Sequence, residues 1–420
     1  MNQIGIYIFG VLVFFAVIQT LCALAFTSSL CLPKSDDIPD ELLPKAVVIL
    51  ALRGADPFLA DCIRALLHQN YPEYELHIVV DSQQDPAWDI ITKTIQQTGA
   101  THVKVSPLIV QHNTCSLKCS ALVQAIFALD DSYNVVAFID ADVVAYPNWL
   151  RELVVPLMDK QIGASTGNRW YLPPSEQWGS LVRYVYNSAS VVSMYIHKYA
   201  WGGSMAMKLS NLRQAQLLDI WTQSLSVDAP VHKALQSIGL KVKFVPTVMM
   251  INREDCDLAQ CFRFITRQLI MPRLYHPKWM VFVLQVFVPS LALVVAMGMM
   301  LISLVRGNFA AAALFGGGFV GYILVMALLI THLEQGVRQM LWEHSKLMKY
   351  FSFRFLVKVL LVVPLAQLIS TLATALTMSK QNVEWRGVVY QVKSPYEILL
   401  TEYHPYQKSP QPLDSKASIG

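Results

Sequence analysis

The stretch Val135-Val-Ala-Phe-Ile-Asp140-Ala-Asp142-Val-Val144 decides the fold class. Five apolar, partly β-branched residues read as a strand buried on both faces, and the run stops at two carboxylates two residues apart. Strands buried on both faces belong to mostly parallel sheets covered by helices, whose ligands sit outside the carboxyl ends of the strands. An Asp-x-Asp at such an edge suits a divalent cation that in turn holds a diphosphate. An isolated pair reads equally well as a solvated acidic turn, so the rest of the chain has to choose.

Outward from that strand the pattern repeats. Residues 46–52, 75–80 and 102–105 read as further strands, and residues 57–69, 86–97, 116–129 and 148–158 as the helices between and after them. The alternation predicts an α/β fold built on a mostly parallel sheet. Each of the long strands ends in polar residues: Arg53-Gly54-Ala-Asp56 after the first, Asp81 and Asp85 after the second, Asp140 and Asp142 after the fourth. Asp56 and Asp85, each before a proline, have the form of helix N-caps. Asp81 and Asp85 nonetheless face the same edge as Asp140 and are expected to hold ligand. Lys118, at a helix start, reads either as a phosphate partner or as a surface lysine. Gly202-Gly203 precedes a strand at 204–207 and fits either a tight turn or a close approach of backbone to ligand.

Composition places this domain on a membrane. The chain is 54% hydrophobic and 15% charged, with mean hydropathy +0.41, too apolar for an ordinary soluble enzyme of 420 residues. Its net charge of +4 is small and dispersed, which gives no reason to expect nucleic acid as a partner. Seven cysteines form no C-x-x-C pair and leave one over, an argument for a reducing compartment. Residues 4–30 carry no charge and are long enough to cross a bilayer; no basic residue precedes them and Lys34 follows, which predicts an uncleaved signal anchor with the next domain in the cytoplasm. Residues 280–305, 309–331 and 359–379 are three further expected spans, the last despite Pro364, and 332–353 reads as an interfacial helix. Residues 262–279 mix bulky apolar side chains with cations, as a helix under lipid headgroups would. The expected domains are therefore 1–31, 32–278, 279–379 and a tail, 380–420, whose end from 408 has a disordered composition. Counting four crossings puts the tail across the membrane from the catalytic domain unless the last apolar segment is re-entrant.

Ala55-Asp-Pro-Phe-Leu59, Gln69-Asn-Tyr-Pro-Glu-Tyr-Glu75, Asp85-Pro-Ala87, the Asp140 to Asp142 motif, Trp201-Gly-Gly-Ser-Met-Ala-Met207 and the stretch from Asp228 to Leu235 resemble, in this order, the ceramide glucosyltransferases and their bacterial lipid-glycosylating relatives within the glycosyltransferase family 2 type. Trp385-Arg386-Gly387-Val-Val-Tyr390 is similar to a tail motif of the bacterial relatives. The resemblance implies a GT-A-like nucleotide-sugar-binding sheet flanked by transmembrane helices. It implies that Asp85, with Asp81, Lys118, Gly202 and Gly203 near it, holds the nucleotide sugar. Asp140 and Asp142 would bind Mg²⁺ or Mn²⁺ and the diphosphate, and Asp228 would be the catalytic base. Two departures stand out. Val227 occupies a position that the family fills with an acid, and the Arg/Gln-x-x-Arg-Trp motif falls on Arg267-Gln-Leu-Ile-Met271, matching only at its first residue. Arg263, Gln268 and Arg273 are the candidates to replace the missing contacts to acceptor or diphosphate, together with Arg267.

The chemistry asks for the same parts. A divalent ion neutralises the leaving diphosphate, and a carboxylate on the other side of the anomeric carbon takes the acceptor's proton, giving one displacement with inversion. The expected function is a membrane-bound inverting hexosyltransferase that uses a nucleoside diphosphate sugar such as UDP-glucose and a lipid hydroxyl on ceramide, a hopanoid or a glycerolipid. A processive polysaccharide synthase and a catalytically degenerate scaffold are the alternatives. His232, four residues after Asp228, is either a neighbour of the base or a packed helix residue.

Overall fold

A computed structural model describes residues 2–30, 38–341 and 353–406. The strands are β1 (Ala46–Leu52), β2 (Tyr74–Val80), β3 (Val103–Pro107), β4 (Val135–Ile139), β5 (Ile162–Thr166), β6 (Arg169–Tyr171), β7 (Ser204–Lys208), β8 (Lys241–Phe244), β9 (Met250–Asn252), β10 (Asn382–Trp385), β11 (Val388–Ser394) and β12 (Glu397–Tyr403). Seven of them form one sheet in the order β3-β2-β1-β4-β7-β5-β8. β1 pairs in parallel with β2 and with β4, while β7 runs antiparallel to both β4 and β5. The expected mostly parallel sheet is thus present, with β7 reversed. Its reversal matters for the site: the start of β7 lies beside the carboxyl end of β4, with Ser204 opposite Ile139.

Alternation along β1 shows why its sequence is apolar throughout. Ala46, Val48, Leu50 and Leu52 enter one core, under the helices Leu59–Leu67, Pro86–Thr98 and Trp149–Val154. Val47 and Ile49 enter the other, with the helices Leu117–Phe127, Leu217–Trp221 and Val231–Ser237. Successive side chains of a strand point to opposite faces, and here both faces are covered.

Among the described residues, four helices are long and apolar enough to cross a membrane: Asn2–Leu30, Trp279–Val305, Phe309–Leu341 and the segment Val357–Ser379 of Phe353–Ser379. The first and third approach closely at glycines; a Cβ on Gly5 would stand 2.7 Å from Leu314, and one on Gly318 3.2 Å from Phe9. The interfacial helix expected at 332–353 does not begin at 332, because the third apolar helix runs on without a break to Leu341. Its charges are satisfied internally: Arg338 Nε lies 2.8 Å from Glu334 Oε1, and Glu334 Oε2 accepts from Trp170 Nε1 at 2.8 Å and Tyr184 OH at 3.0 Å. Residues 342–352, the rest of that expectation, and 407–420, which include the expected disordered end, lie outside the described residues.

The last apolar helix touches the α/β domain at both ends. Lys358 pairs with Glu176, and Thr377, about 28 Å further along the helix, accepts from Arg273 at 2.6 Å and donates to the Thr266 carbonyl at 3.3 Å. Between these points Val362, Ala366, Ile369 and Ala373 pack with Cys261 and Ile265 of the helix Leu258–Tyr275. The segment is long and apolar enough to cross a membrane, and these are also the contacts that a re-entrant segment would make. The tail follows on the domain's own side: Tyr390 OH accepts from the Leu117 N–H at 3.1 Å and the Leu400 N–H donates to the Asn113 carbonyl at 2.7 Å.

Candidate functional site

Three strand ends converge. From β4 come Asp140, whose Oδ1 accepts from Lys118 Nζ at 2.5 Å, and Asp142, whose Oδ2 accepts from Arg169 at 2.7 Å and from Asn252 Nδ2 at 3.2 Å. Burial opposes ionisation of Asp140, but the Lys118 ammonium and then Arg169 and Arg386 outweigh it and hold its carboxyl below the usual carboxylate range. The other oxygen of Asp142, Oδ1, is buried without a hydrogen-bond partner. A buried carboxylate oxygen left open at a strand end, with a second carboxylate beside it, is a donor set that oxygen-seeking cations fit.

Asp85 sits on the same edge as a helix cap, as its position before Pro86 suggested. Its Oδ1 accepts from the Ala87 N–H, and its Oδ2 from the Gly54 N–H, both at 2.8 Å. Asp81 is bound by Arg53 and by Tyr403 OH, the latter at 2.8 Å; burial raises its pKa against the pull of Arg53. Asp56 does not cap the following helix, whose N-cap is Phe58, because Arg386 holds its carboxylate at 2.5 Å. Arg53, Arg169, Asn252 and Arg386 therefore belong to this edge although sequence reading did not assign them to it. Arg53, in the polar run after β1, and Arg386, in the tail motif Trp385 to Tyr390, carried a signal; Arg169 and Asn252 carried none.

Gly202 and Gly203 separate the β4 carboxylates from Asp228. A Cβ on Gly203 would stand 2.6 Å from Asp140 Oδ2, and one on Gly202 2.8 Å from Val227. The Gly202 N–H donates to Asp228 Oδ2 at 2.9 Å, and Ser226 Oγ donates to its Oδ1. Asp228 is thus oriented from two sides and does not cap the helix Val231–Ser237. Val227 is apolar because it is buried in the core beside Trp221, whose indole donates to its carbonyl at 2.8 Å. His232 is half-buried and makes no hydrogen bond to Asp228 among the described residues.

A cavity of about 530 Å³ opens beside Asp228. Asp228, Arg169, Tyr199, Trp201 and Gln268 line it together with Phe15 and Ile18 of the first apolar helix and Phe282 and Val286 of the second. It joins the carboxylate to surfaces suited to acyl chains. The Tyr199 hydroxyl is buried in its wall without a hydrogen-bond partner, its ring stacked on His276. Arg267 also approaches the carboxylates, whereas Arg263 is exposed and Arg273 is committed to the carbonyl end of the last apolar helix.

The chain is 33% identical over 72 residues to a ceramide glucosyltransferase of Pyricularia oryzae, a match that covers 17% of this chain and 15% of the relative. It is 27% identical over 149 residues to a ceramide glucosyltransferase of Candida albicans, covering 32% and 27%. The chain thus aligns with less than a third of the length of either relative. A mannosyltransferase from Pyrobaculum calidifontis, solved in complex with GDP-Man and Mn²⁺, superposes with a TM-score of 0.51 over 80% of this chain and all of its own, at 15% identity; the likeness is one of fold, a GT-A-like sheet. The profile of glycosyl transferase family 21 matches residues 10–398, nearly the whole chain, and the protein belongs to that family.

Proposed function

We propose that the protein transfers a hexose from a nucleoside diphosphate sugar to the hydroxyl of a membrane lipid, with inversion, on the cytoplasmic face. The observation that carries this reading is the cavity shared by Asp228 and the apolar helices. An acceptor with an acyl body can rest against Phe15, Ile18 and Val286 while presenting its hydroxyl to the carboxylate. Asp228 takes that hydroxyl's proton as the oxygen bonds to the anomeric carbon and the bond to the diphosphate breaks. The Gly202 N–H and Ser226 hold the carboxylate in place for this step. The orphaned Tyr199 hydroxyl, in the same wall, is a donor for a polar atom of the acceptor. Asp81, Asp85 and Gly203 face the donor. Lys118 and Arg169, which neutralise Asp140 and Asp142, are available to phosphate oxygens once those carboxylates have another partner. The residues that would hold Mg²⁺ or Mn²⁺ are Asp140 and Asp142, where the ion supplies Lewis-acid neutralisation of the leaving diphosphate. The names of the fungal relatives favour a glucose donor and a ceramide-like acceptor.

The reading is tested in vesicles carrying the full chain, supplied with labelled UDP-glucose and, in parallel, GDP-mannose. Label should pass into the lipid extract, and mass spectrometry of that extract identifies acceptor and sugar. Absence of any lipid-linked hexose from a preparation that binds nucleotide would leave the scaffold reading.

The orientation has its own expected result. A reporter inserted after Lys160 reads cytoplasmic, since basic residues follow the first apolar helix and none precedes it. A reporter in the β11–β12 turn, after Ser394, reads on the same side because the tail packs on the domain. An external signal at the first position reverses the arrangement, and opposite signals make the last apolar helix a crossing.

A further inference from the structure

The turn between β10 and β11 is two residues long, Arg386-Gly387, with Trp385 paired to Val388. Both turn residues have positive φ, +50° and +77°. Such turns are normally filled by Asn, Asp or Gly, and an ordinary residue held in the left-handed region marks a place where the side chain is needed. The Arg386 guanidinium reaches the Asp56 carboxylate and the Arg53 carbonyl, and its charge also bears on Asp142. Two more guanidiniums meet it. Arg169 pairs with Asp142 but leaves its Nε buried without a partner. Arg267, partly buried, has no hydrogen bond or ion pair among the described residues, only the Trp385 ring 5.6 Å away, a ring that Arg386 faces at 5.9 Å. Burial, followed by repulsion from Arg169 and Arg386, pushes the Arg267 pKa down to about 10.

We infer that Arg386, with Arg169 and Arg267, forms the seat of the donor's diphosphate, so that the C-terminal hairpin completes the donor site. This rests on the proposed donor class, a nucleoside diphosphate sugar. The cations gathered here exceed what the carboxylates match: Asp56 serves Arg386 and Asp142 serves Arg169, while Arg267 has none. A planar guanidinium fork fits phosphate oxygens in pairs, and a diphosphate supplies the charge and acceptors that the unpaired N–H groups of Arg169 and Arg267 lack. The hairpin is tied to the same edge at two further points. Tyr403 bonds Asp81, and the Tyr406 ring lies so close to Gly54 that a Cβ there would be 2.3 Å from it. Docking of the tail therefore brings Arg386 to the edge that the donor would occupy.

The test uses the full chain in detergent, Mg²⁺ and inorganic pyrophosphate as probe, read by titration and by the rise in thermal midpoint. The wild type should bind saturably. Arg386→Ala and Arg267→Ala should each weaken binding about tenfold or more, as expected for loss of a charge-assisted contact, and Arg386→Lys, which keeps the charge but not the fork, should fall between. If Arg386→Ala lowers the midpoint without ligand, the Lys variant and Arg267→Ala decide. Wild-type affinity in Arg386→Lys and Arg267→Ala, or no pyrophosphate binding by the wild type, overturns the inference. Pyrophosphate binding that depends on Arg386 in a protein that moves no hexose would instead overturn the proposed transfer and leave the anion seat standing.

Discussion

Asp228→Asn should lower turnover by about 10²- to 10⁴-fold, the usual contribution of a positioned general base, while nucleotide affinity stays near wild type. Asparagine keeps the shape, and its side-chain oxygen can still accept from the Gly202 N–H, so the loop from Ser226 to Ala229 has no reason to rearrange. What is lost is the capacity to take a proton. The obvious structural role, a helix N-cap, is excluded by geometry, since the carboxylate turns to Gly202 and Ser226 instead of the helix Val231–Ser237. Turnover and nucleotide affinity measured on one well-folded variant separate the possibilities. Unchanged turnover removes Asp228 from the chemistry, and a matching loss of affinity assigns it to the donor.

The second large effect is that of chelation. Turnover should disappear in EDTA and return with Mg²⁺ or Mn²⁺, because Asp140 and Asp142 are the only carboxylates at the end of β4 and an oxygen of Asp142 is left open there. The thermal midpoint should barely move. Lys118 already holds Asp140 Oδ1, and Arg169 and Asn252 hold Asp142 Oδ2, without an ion. Full activity in chelator would mean that Lys118 and the guanidiniums neutralise the leaving group by themselves.

Local chemistry made much of this molecule legible before its structure. β1 and β4 were bounded to the residue, because a strand buried on both faces must be apolar along its whole length and must stop where polarity begins. The carboxylates of Asp81, Asp85, Asp140 and Asp142 were found for the same reason. Pairings across hundreds of residues left no such trace. Nothing near Asp56 announces Arg386, and nothing near Asp81 announces Tyr403. Arg386-Gly387 has the length of a hairpin turn, but its use became visible only with the sheet β10–β12 folded back on the domain. The charges from 332 onward, Arg338 among them, suggested a helix at the membrane surface; in the structure Arg338 pairs with Glu334, which Trp170 and Tyr184 also hold.

That last contact bears on how the protein can be handled. In β6, neighbouring side chains leave on opposite faces: Arg169 grips Asp142 at 2.7 Å, and Trp170 grips Glu334 at 2.8 Å. A fragment ending at residue 278 would keep Asp140, Asp142 and Asp228 but lose Glu334 as well as the hairpin that carries Arg386. The Trp170 N–H, on a side chain 0% exposed, would lose the acceptor it has here, at a cost of about 1–3 kcal/mol. The third apolar helix thus forms part of the α/β domain's interior, and a soluble version made by cutting it away, or a chimera grafted onto a foreign membrane segment, would begin with a hole behind the strand that carries Arg169.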